Sequence, residues 1–217
     1  MTSPTTLLTL ALLAAVQTQN QTAKAPPPPA TTTFHSDTLH LDYTYPKSLE
    51  SLASTADEAM KEEQNNETGA LKAAVSCITL PLMAADSTGG MRMVLIMRLD
   101  GVCLGTTTPV SDLGAVATSS LTESLKRFGD PQVGKPTTYE VMGHSASAIF
   151  GTVKSVSYGM TFYGGTSCLL QGKDVLCWEF VVSDCAQLSP LMSYPAQFDG
   201  KTAEPLIPAN LAPACKL

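Results

Sequence analysis

A chain of 217 residues with 44% hydrophobic side chains is long enough for one domain with a substantial core and short for two. Its formal charge of −6 disfavours nucleic acid and anionic lipid as partners. Acidity of this size mainly aids solubility and names no ligand.

The chain opens MTSPTTLLTLALLAAVQTQN, with an apolar run from Leu7 to Val16 broken only by Thr9. A bilayer span needs ~20 residues, so this shorter run suits the core of a secretory signal. Residues 1–18 are expected to be a signal peptide, with cleavage anywhere from 14 to 25. Ala14, Ala15 and Ala23-Lys24-Ala25 all offer the small residues that cleavage requires. A buried N-terminal helix is the competing reading. Residues 19–33 hold four consecutive prolines and no large apolar side chain, so they read as an extended linker. Residues 34–217 are then expected to form a single domain. No later apolar run reaches spanning length, so the mature chain is expected to lack a transmembrane segment and to be secreted or periplasmic.

Leu39 to Tyr45 alternates strictly, with Leu39, Leu41, Tyr43 and Tyr45 on one side, and predicts a half-buried strand ended by Pro46. From Ser48 the period changes. Leu49, Leu52, Ala53, Ala56 and Met60 share a helical face, and Asn65-Asn66 can end the helix. Ala74–Met83 and Met91–Leu99 read as two strands. In the second, Met93, Leu95, Met97 and Leu99 oppose Val94 and Ile96, so both faces should be covered. Ser111 opens the clearest helix, whose stripe is Leu113, Val116, Ala117, Leu121, Leu125 and Phe128. Gly129 and Pro131 stop it. Strands follow near Tyr139–Met142, Ala146–Val156, Gly159–Gly164, Ser167–Gln171 and Val175–Val182, then a short helix near Gln187–Ser193 and a proline-broken tail.

Six cysteines behind a signal-like start, with no C-x-x-C, read as disulfides rather than zinc ligands or a thioredoxin-type pair. A type II′ turn centred on Gly172-Lys173 pairs Gln171 with Asp174, Val175 with Leu170, Leu176 with Leu169, and Cys168 with Cys177. Cys168 and Cys177 then face each other as a non-hydrogen-bonded pair with Cα atoms about 4.5 Å apart, inside disulfide range. Such a staple is worth about 2–3 kcal/mol in the chain-entropy model. If that pair forms, Cys77–Cys103 and Cys185–Cys215 is the locally simplest remainder among many connectivities.

Candidate chemistry is sparse. Gly143-His144-Ser145-Ala146-Ser147 resembles the start of a nucleophile elbow, but a strand follows it and no histidine comes later in the chain. The competing reading is a tight turn between strands. His35, His40 and Asp42 could approach a metal, but polar groups on a solvated strand face are the favoured reading, because a metal site wants three or more ligands and a second shell. Asp57, Glu58, Glu62 and Glu63 read as a solvated helix face. Asn20-Gln21-Thr22 and Asn66-Glu67-Thr68 fit the glycosylation pattern, which matters only in a eukaryotic host. Trp178 beside Cys177 reads as core, and the nine methionines as adaptable packing or a soft apolar binding face. No catalytic, cofactor-binding or metal residues are assigned.

Strand, helix, hairpin, helix and a run of antiparallel strands predict an α+β fold, an antiparallel sheet with helices packed on it. Within that order, "LHLDYTYPKSLESL" resembles the opening of PsbP-like proteins, where a strand ends in Tyr-Pro before a helical segment. "SDLGAVATSSLTESLKRFGDP" looks like their long helix, "YEVMGHSASAIFGTVKS" like the following hairpin, and "YGMTFYGGTSCLLQGKDVLCWEFVVSD" like the closing strand pair. The resemblance covers roughly residues 34–193. It implies a PsbP-like sandwich, in a group that includes photosystem extrinsic subunits, a Ran-binding nuclear import factor and exported bacterial proteins of unknown role. It carries over no functional residue. The chain departs from the group in its cysteines and its proline-rich tail.

The function expected is that of an exported, disulfide-stabilised, non-enzymatic binding or assembly domain for another protein or an envelope component. A small secreted serine hydrolase using Ser145 and a carrier of an apolar small molecule are the alternatives. The carrier requires an internal pocket of several hundred Å³.

Overall fold

The computed structural model describes residues 29–86, 90–105 and 110–212. The apolar run at Leu7–Val16, Asn20 and Cys215 lie outside the described residues.

Within those residues the strands form two antiparallel sheets. The larger is ordered β3-β4-β5-β10-β9-β8-β6, with β7 also paired to β8. Its strands are β3 (Glu50–Ser51), β4 (Ile78–Asp86), β5 (Arg92–Leu99), β6 (Pro131–Val133), β7 (Thr137–Val141), β8 (His144–Ser155), β9 (Met160–Gln171) and β10 (Asp174–Val182). The smaller sheet is β1 (Thr31–Ser36), β2 (Leu41–Pro46), β11 (Pro195–Phe198) and β12 (Glu204–Pro205), in the order β1-β2-β11-β12. Helices α1 (Ala53–Asn66), α2 (Gly69–Val75), α3 (Leu113–Lys126) and α4 (Leu188–Met192) complete it. The architecture is α+β.

Side-chain alternation along β10 shows why the large sheet is covered twice. Leu176, Trp178, Phe180 and Val182 enter a core shared with Leu41 and Tyr43 of the small sheet and Leu191 of α4. Val175, Cys177 and Val181 enter a second core under α3, against Ala117, Leu121 and Leu125. Period-two alternation on a strand with no solvated face produces the unbroken apolar run in sequence.

The turn at Gly172 has φ 64°, and the register beyond it pairs Asp174 with Gln171 and Cys177 with Cys168, as the turn chemistry requires. Glycine 164 and Gly165 do not divide β9, which runs unbroken from Met160 to Gln171. A Cβ on Gly164 would come within 2.8 Å of Leu121, and one on Gly165 within 3.0 Å of Phe150 and Met192. The glycine pair is there for close packing on both faces.

Several element boundaries differ from the sequence reading. The first helix starts at Ala53 rather than Ser48, because Leu52 N–H donates to the Met83 carbonyl (2.8 Å) and Glu50–Ser51 pair with β4. Ala74 and Val75 end helix α2 instead of opening a strand, and the backbone N–H of Ser76 and Cys77 continue the helical turn to Lys72 and Ala74. His40 leaves the strand, with φ 48° in the β1–β2 turn. Asp112, not Ser111, caps α3 by accepting from Ala115 N–H at 2.9 Å. Strands β1, β6, β11 and β12 were not expected; β1 begins inside the threonine stretch and pairs with β2 from Thr31 to Pro46.

Candidate functional site

Helix α3 crosses the large sheet with Leu113, Ala117, Leu121 and Leu125 buried in a four-residue rhythm. Offset from that stripe, Ser120 and Ser124 point down at β10. Their hydroxyls donate to the two carboxylate oxygens of Glu179, Ser120 to Oε1 and Ser124 to Oε2. Glu179 is 2% exposed. It is the one acidic residue among the apolar residues Val175–Val182, placed by alternation on the α3 face.

The cross-strand neighbours of Glu179 are Thr166 on β9 and Leu95 on β5. The Thr166 hydroxyl is buried and has no hydrogen-bond partner among the described residues. Burial pushes the Glu179 carboxyl above the usual carboxylate range; the two serine hydroxyls and the field of Arg127 oppose that shift. No ion pair reaches Glu179 among the described residues.

From Glu179 a cleft of about 550 Å³ opens between α3, the exposed end of the sheet at β4–β5, and the α1–α2 pair. Ile78, Leu80, Leu95, Met97 and Leu99 form its sheet wall. Met60 of α1, Val75 of α2 and Val116 of α3 close over it, and Glu123 and Arg127 stand on the α3 side. The cleft is therefore an apolar trough whose lining also holds the Glu179 carboxyl and the Ser120 and Ser124 hydroxyls. That arrangement can hold an apolar body and recognise a polar head. Sequence reading missed it. The available signal was a lone glutamate inside an apolar strand run.

The residues singled out from sequence fall elsewhere. Cys168–Cys177 is a disulfide with Cα atoms 4.0 Å apart, and Cys77–Cys103 is a disulfide at 5.4 Å. Cys185 is disulfide-bonded; Cys215 is not among the described residues. Ser145 and His144 are consecutive on β8, so their side chains point to opposite faces. His144 Nδ1 lies 3.0 Å from the Leu170 carbonyl, and its ring packs on Phe198. No hydrogen bond joins Ser145 to a histidine among the described residues. Met142 and Gly143, with φ 51° and 78°, make the tight β7–β8 turn that accounts for the Gly-His-Ser string.

His35 pairs across the β1–β2 hairpin with Asp42 (Nδ1 to Oδ1, 2.6 Å) and locally with Asp37 (2.9 Å). His40 is not a member of this group, and no three candidate ligands converge in metal-holding geometry among the described residues. Asp57, Glu58 and Glu62 are exposed on α1. Trp178 lies in the core against Tyr43 and Phe198, on the face opposite its neighbour Cys177. No helix among the described residues is long and apolar enough to cross a membrane.

No protein-family model matches the chain, and no curated protein matches it. Among solved structures, the chain is similar to the PsbP of the cyanobacterium Synechocystis sp. PCC 6803, at 7% identity and a TM-score of 0.38, covering 73% of this chain and 83% of that one. It is also similar to LpqN of Mycobacterium tuberculosis, described as involved in cell envelope biogenesis, at 12% identity and a TM-score of 0.38, covering 75% and 83%. The first of these carries the PsbP name to which the sequence resemblance pointed.

Proposed function

We propose that the chain is an extracytoplasmic, non-enzymatic binding domain, and that it holds an apolar ligand in the cleft between α3, β4–β5 and the α1–α2 pair. The carrying observation is the cleft itself, about 550 Å³, walled by aliphatic and methionine side chains with the buried Glu179 in its lining. Its volume falls in the range of small-molecule sites. Met60 and Met97 suit a face that adapts to its occupant. Disulfides in a chain with a signal-like N-terminus support an oxidising compartment. No hydrogen bond joins Ser145 to a histidine among the described residues, so the hydrolase reading gains no support.

The test is saturable uptake of a neutral hydrophobic dye, N-phenyl-1-naphthylamine, by the full chain. Met97→Trp and Val116→Trp, which fill the trough from opposite walls, should abolish uptake while the circular dichroism spectrum is kept. Absence of saturable uptake by the unaltered protein would overturn the reading.

The protein-partner reading rests on a different observation. Val156, Tyr158 and Met160 are 93%, 61% and 44% exposed at the β8–β9 turn, an apolar tip on an otherwise acidic chain. Loss of a captured partner on Tyr158→Ser and Val156→Ser would favour it.

A further inference from the structure

Glu179 is a buried carboxyl whose two hydrogen-bond partners among the described residues are neutral. Ser120 and Ser124 each supply one hydroxyl. A carboxylate offers about four lone-pair sites, so acceptor capacity remains on both oxygens. Arg127 acts on it only through its field and makes no contact with it among the described residues. A buried carboxylate ordinarily comes with a charged partner. Glu179 also lines the apolar trough. The other charges lining the trough are Arg127 and Glu123, and Glu123 is exposed and ion-paired with Lys126 at 3.5 Å, which leaves Glu179 as its buried carboxyl.

We propose that the cleft selects a single-chain aliphatic amine, with the ammonium head donating to the Glu179 carboxylate and the alkyl chain lying along Leu95, Met97 and Met60. This deepens the binding-cleft reading above and rests on it. An ammonium head brings three donors and the opposite charge to a site shielded from water, where a charge-assisted hydrogen bond is strongest. A fatty acid of equal length meets the same walls but sets its carboxylate against Glu179. An alcohol offers one neutral donor and should fall between.

The test is displacement of N-phenyl-1-naphthylamine from the full chain by decylamine, decanol and decanoate at one ionic strength. The expected order is decylamine, decanol, decanoate, with the amine tighter than the acid by roughly tenfold or more, about the effect of one good charged hydrogen bond. Glu179→Gln should bring amine and acid to within about threefold and weaken decanol less than the amine. Arg127→Gln, at an exposed position, should widen the preference for the amine by lifting the opposing field. Dye uptake with decanoate equal to or tighter than decylamine overturns the amine assignment while the cleft reading stands. Retention of the full preference by Glu179→Gln overturns the role of Glu179. No dye uptake and no displacement by any of the three overturns the cleft reading and the assignment together. Adding decylamine as monomer and, separately, an aminophospholipid in neutral vesicles distinguishes a soluble amphiphile from a bilayer lipid; displacement only by the vesicles overturns the single-chain assignment.

Discussion

Ser124 of α3 and Glu179 of β10 are joined hydroxyl to carboxylate across the helix–sheet interface, 55 residues apart in sequence. The contact is buried on both sides, so removing the donor leaves a carboxylate oxygen short of its protein hydrogen bond. Ser124→Ala should cost about 1–3 kcal/mol. Glu179→Gln should cost less near neutral pH, because the amide is uncharged and the serine hydroxyls can rotate to meet it. Urea titration of both variants at pH 7.5 checks the order.

The same pair sets a pH dependence. Burial raises the Glu179 carboxyl in the folded state above its unfolded value. Its contribution to stability is therefore complete below the ordinary glutamate range and is lost as pH rises through the folded value. The unaltered protein should lose melting temperature across that window, and Glu179→Gln should lose less. Parallel melting curves for the two from pH 4 to pH 8 would sink the assignment.

The two described disulfides should differ in access. Cys168 and Cys177 are fully buried beneath α3, whereas Cys103 is exposed on the loop after β5. Thiolate attack requires reach to a sulfur. Mild reductant should open Cys77–Cys103 first, read by alkylation and peptide mass. Replacing both Cys168 and Cys177 by Ala should cost about 2–3 kcal/mol in the chain-entropy model yet leave the hairpin formed. The Gly172 turn and the two cores on either face of β10 remain.

Why the hairpin was legible and the cleft was not has a physical reason. Turn chemistry at Gly172 fixes register over nearby residues, and helical period fixes the stripe of α3; both are local. The alternation of β5 was legible for the same reason, since Met93 and Leu95 oppose Val94 and Ile96 on covered faces. The cleft is assembled from Met60, Val75, Met97, Val116 and Glu179, which no period connects. Gly164-Gly165 misled because glycine signals both a turn and close packing, and only the neighbours Leu121 and Phe150 decide between them. Strand β11 was hidden because it is four residues long and is joined to the rest of its sheet through β2, more than a hundred residues earlier.

Asp174 ties the end of the sheet together. Its Oδ1 accepts the Gly101 N–H at 3.0 Å, and its Oδ2 accepts Arg98 Nε at 2.8 Å. Gly101 sits so close to the β9–β10 turn that a Cβ would lie 2.1 Å from the Lys173 carbonyl oxygen. Gly101→Ala must push the loop off the turn and should cost about 1–3 kcal/mol. Asp174→Asn keeps one acceptor and should cost less. Hydrogen exchange at residues 100–104 should accelerate in Gly101→Ala while the amides of β10 stay protected. Equal acceleration in both segments would mean that the loop and the sheet open as one unit.

His35 offers a reporter for the small sheet. Its ring sits between Asp42 and Asp37, and the hydrogen bond to Asp42, then that to Asp37, raises its pKa above the ordinary histidine value. The sign follows from linkage. A raised histidine stabilises the fold fully below its unfolded pKa, and that contribution disappears as pH rises through the folded value. The site is open to solvent, so screening keeps the energetic effect small. The resonance shift is the better readout. Proton NMR titration of the His35 ring should give a midpoint above the ordinary value. Asp42→Asn should lower that midpoint more than Asp37→Asn, because Asp42 is the larger cause. If the two variants lower it equally, the hairpin pairing of Asp42 with His35 is no stronger in solution than the local contact with Asp37. The β1–β2 register around Phe34 and Tyr43 would then be held by the backbone ladder and apolar packing, without the His35–Asp42 pair.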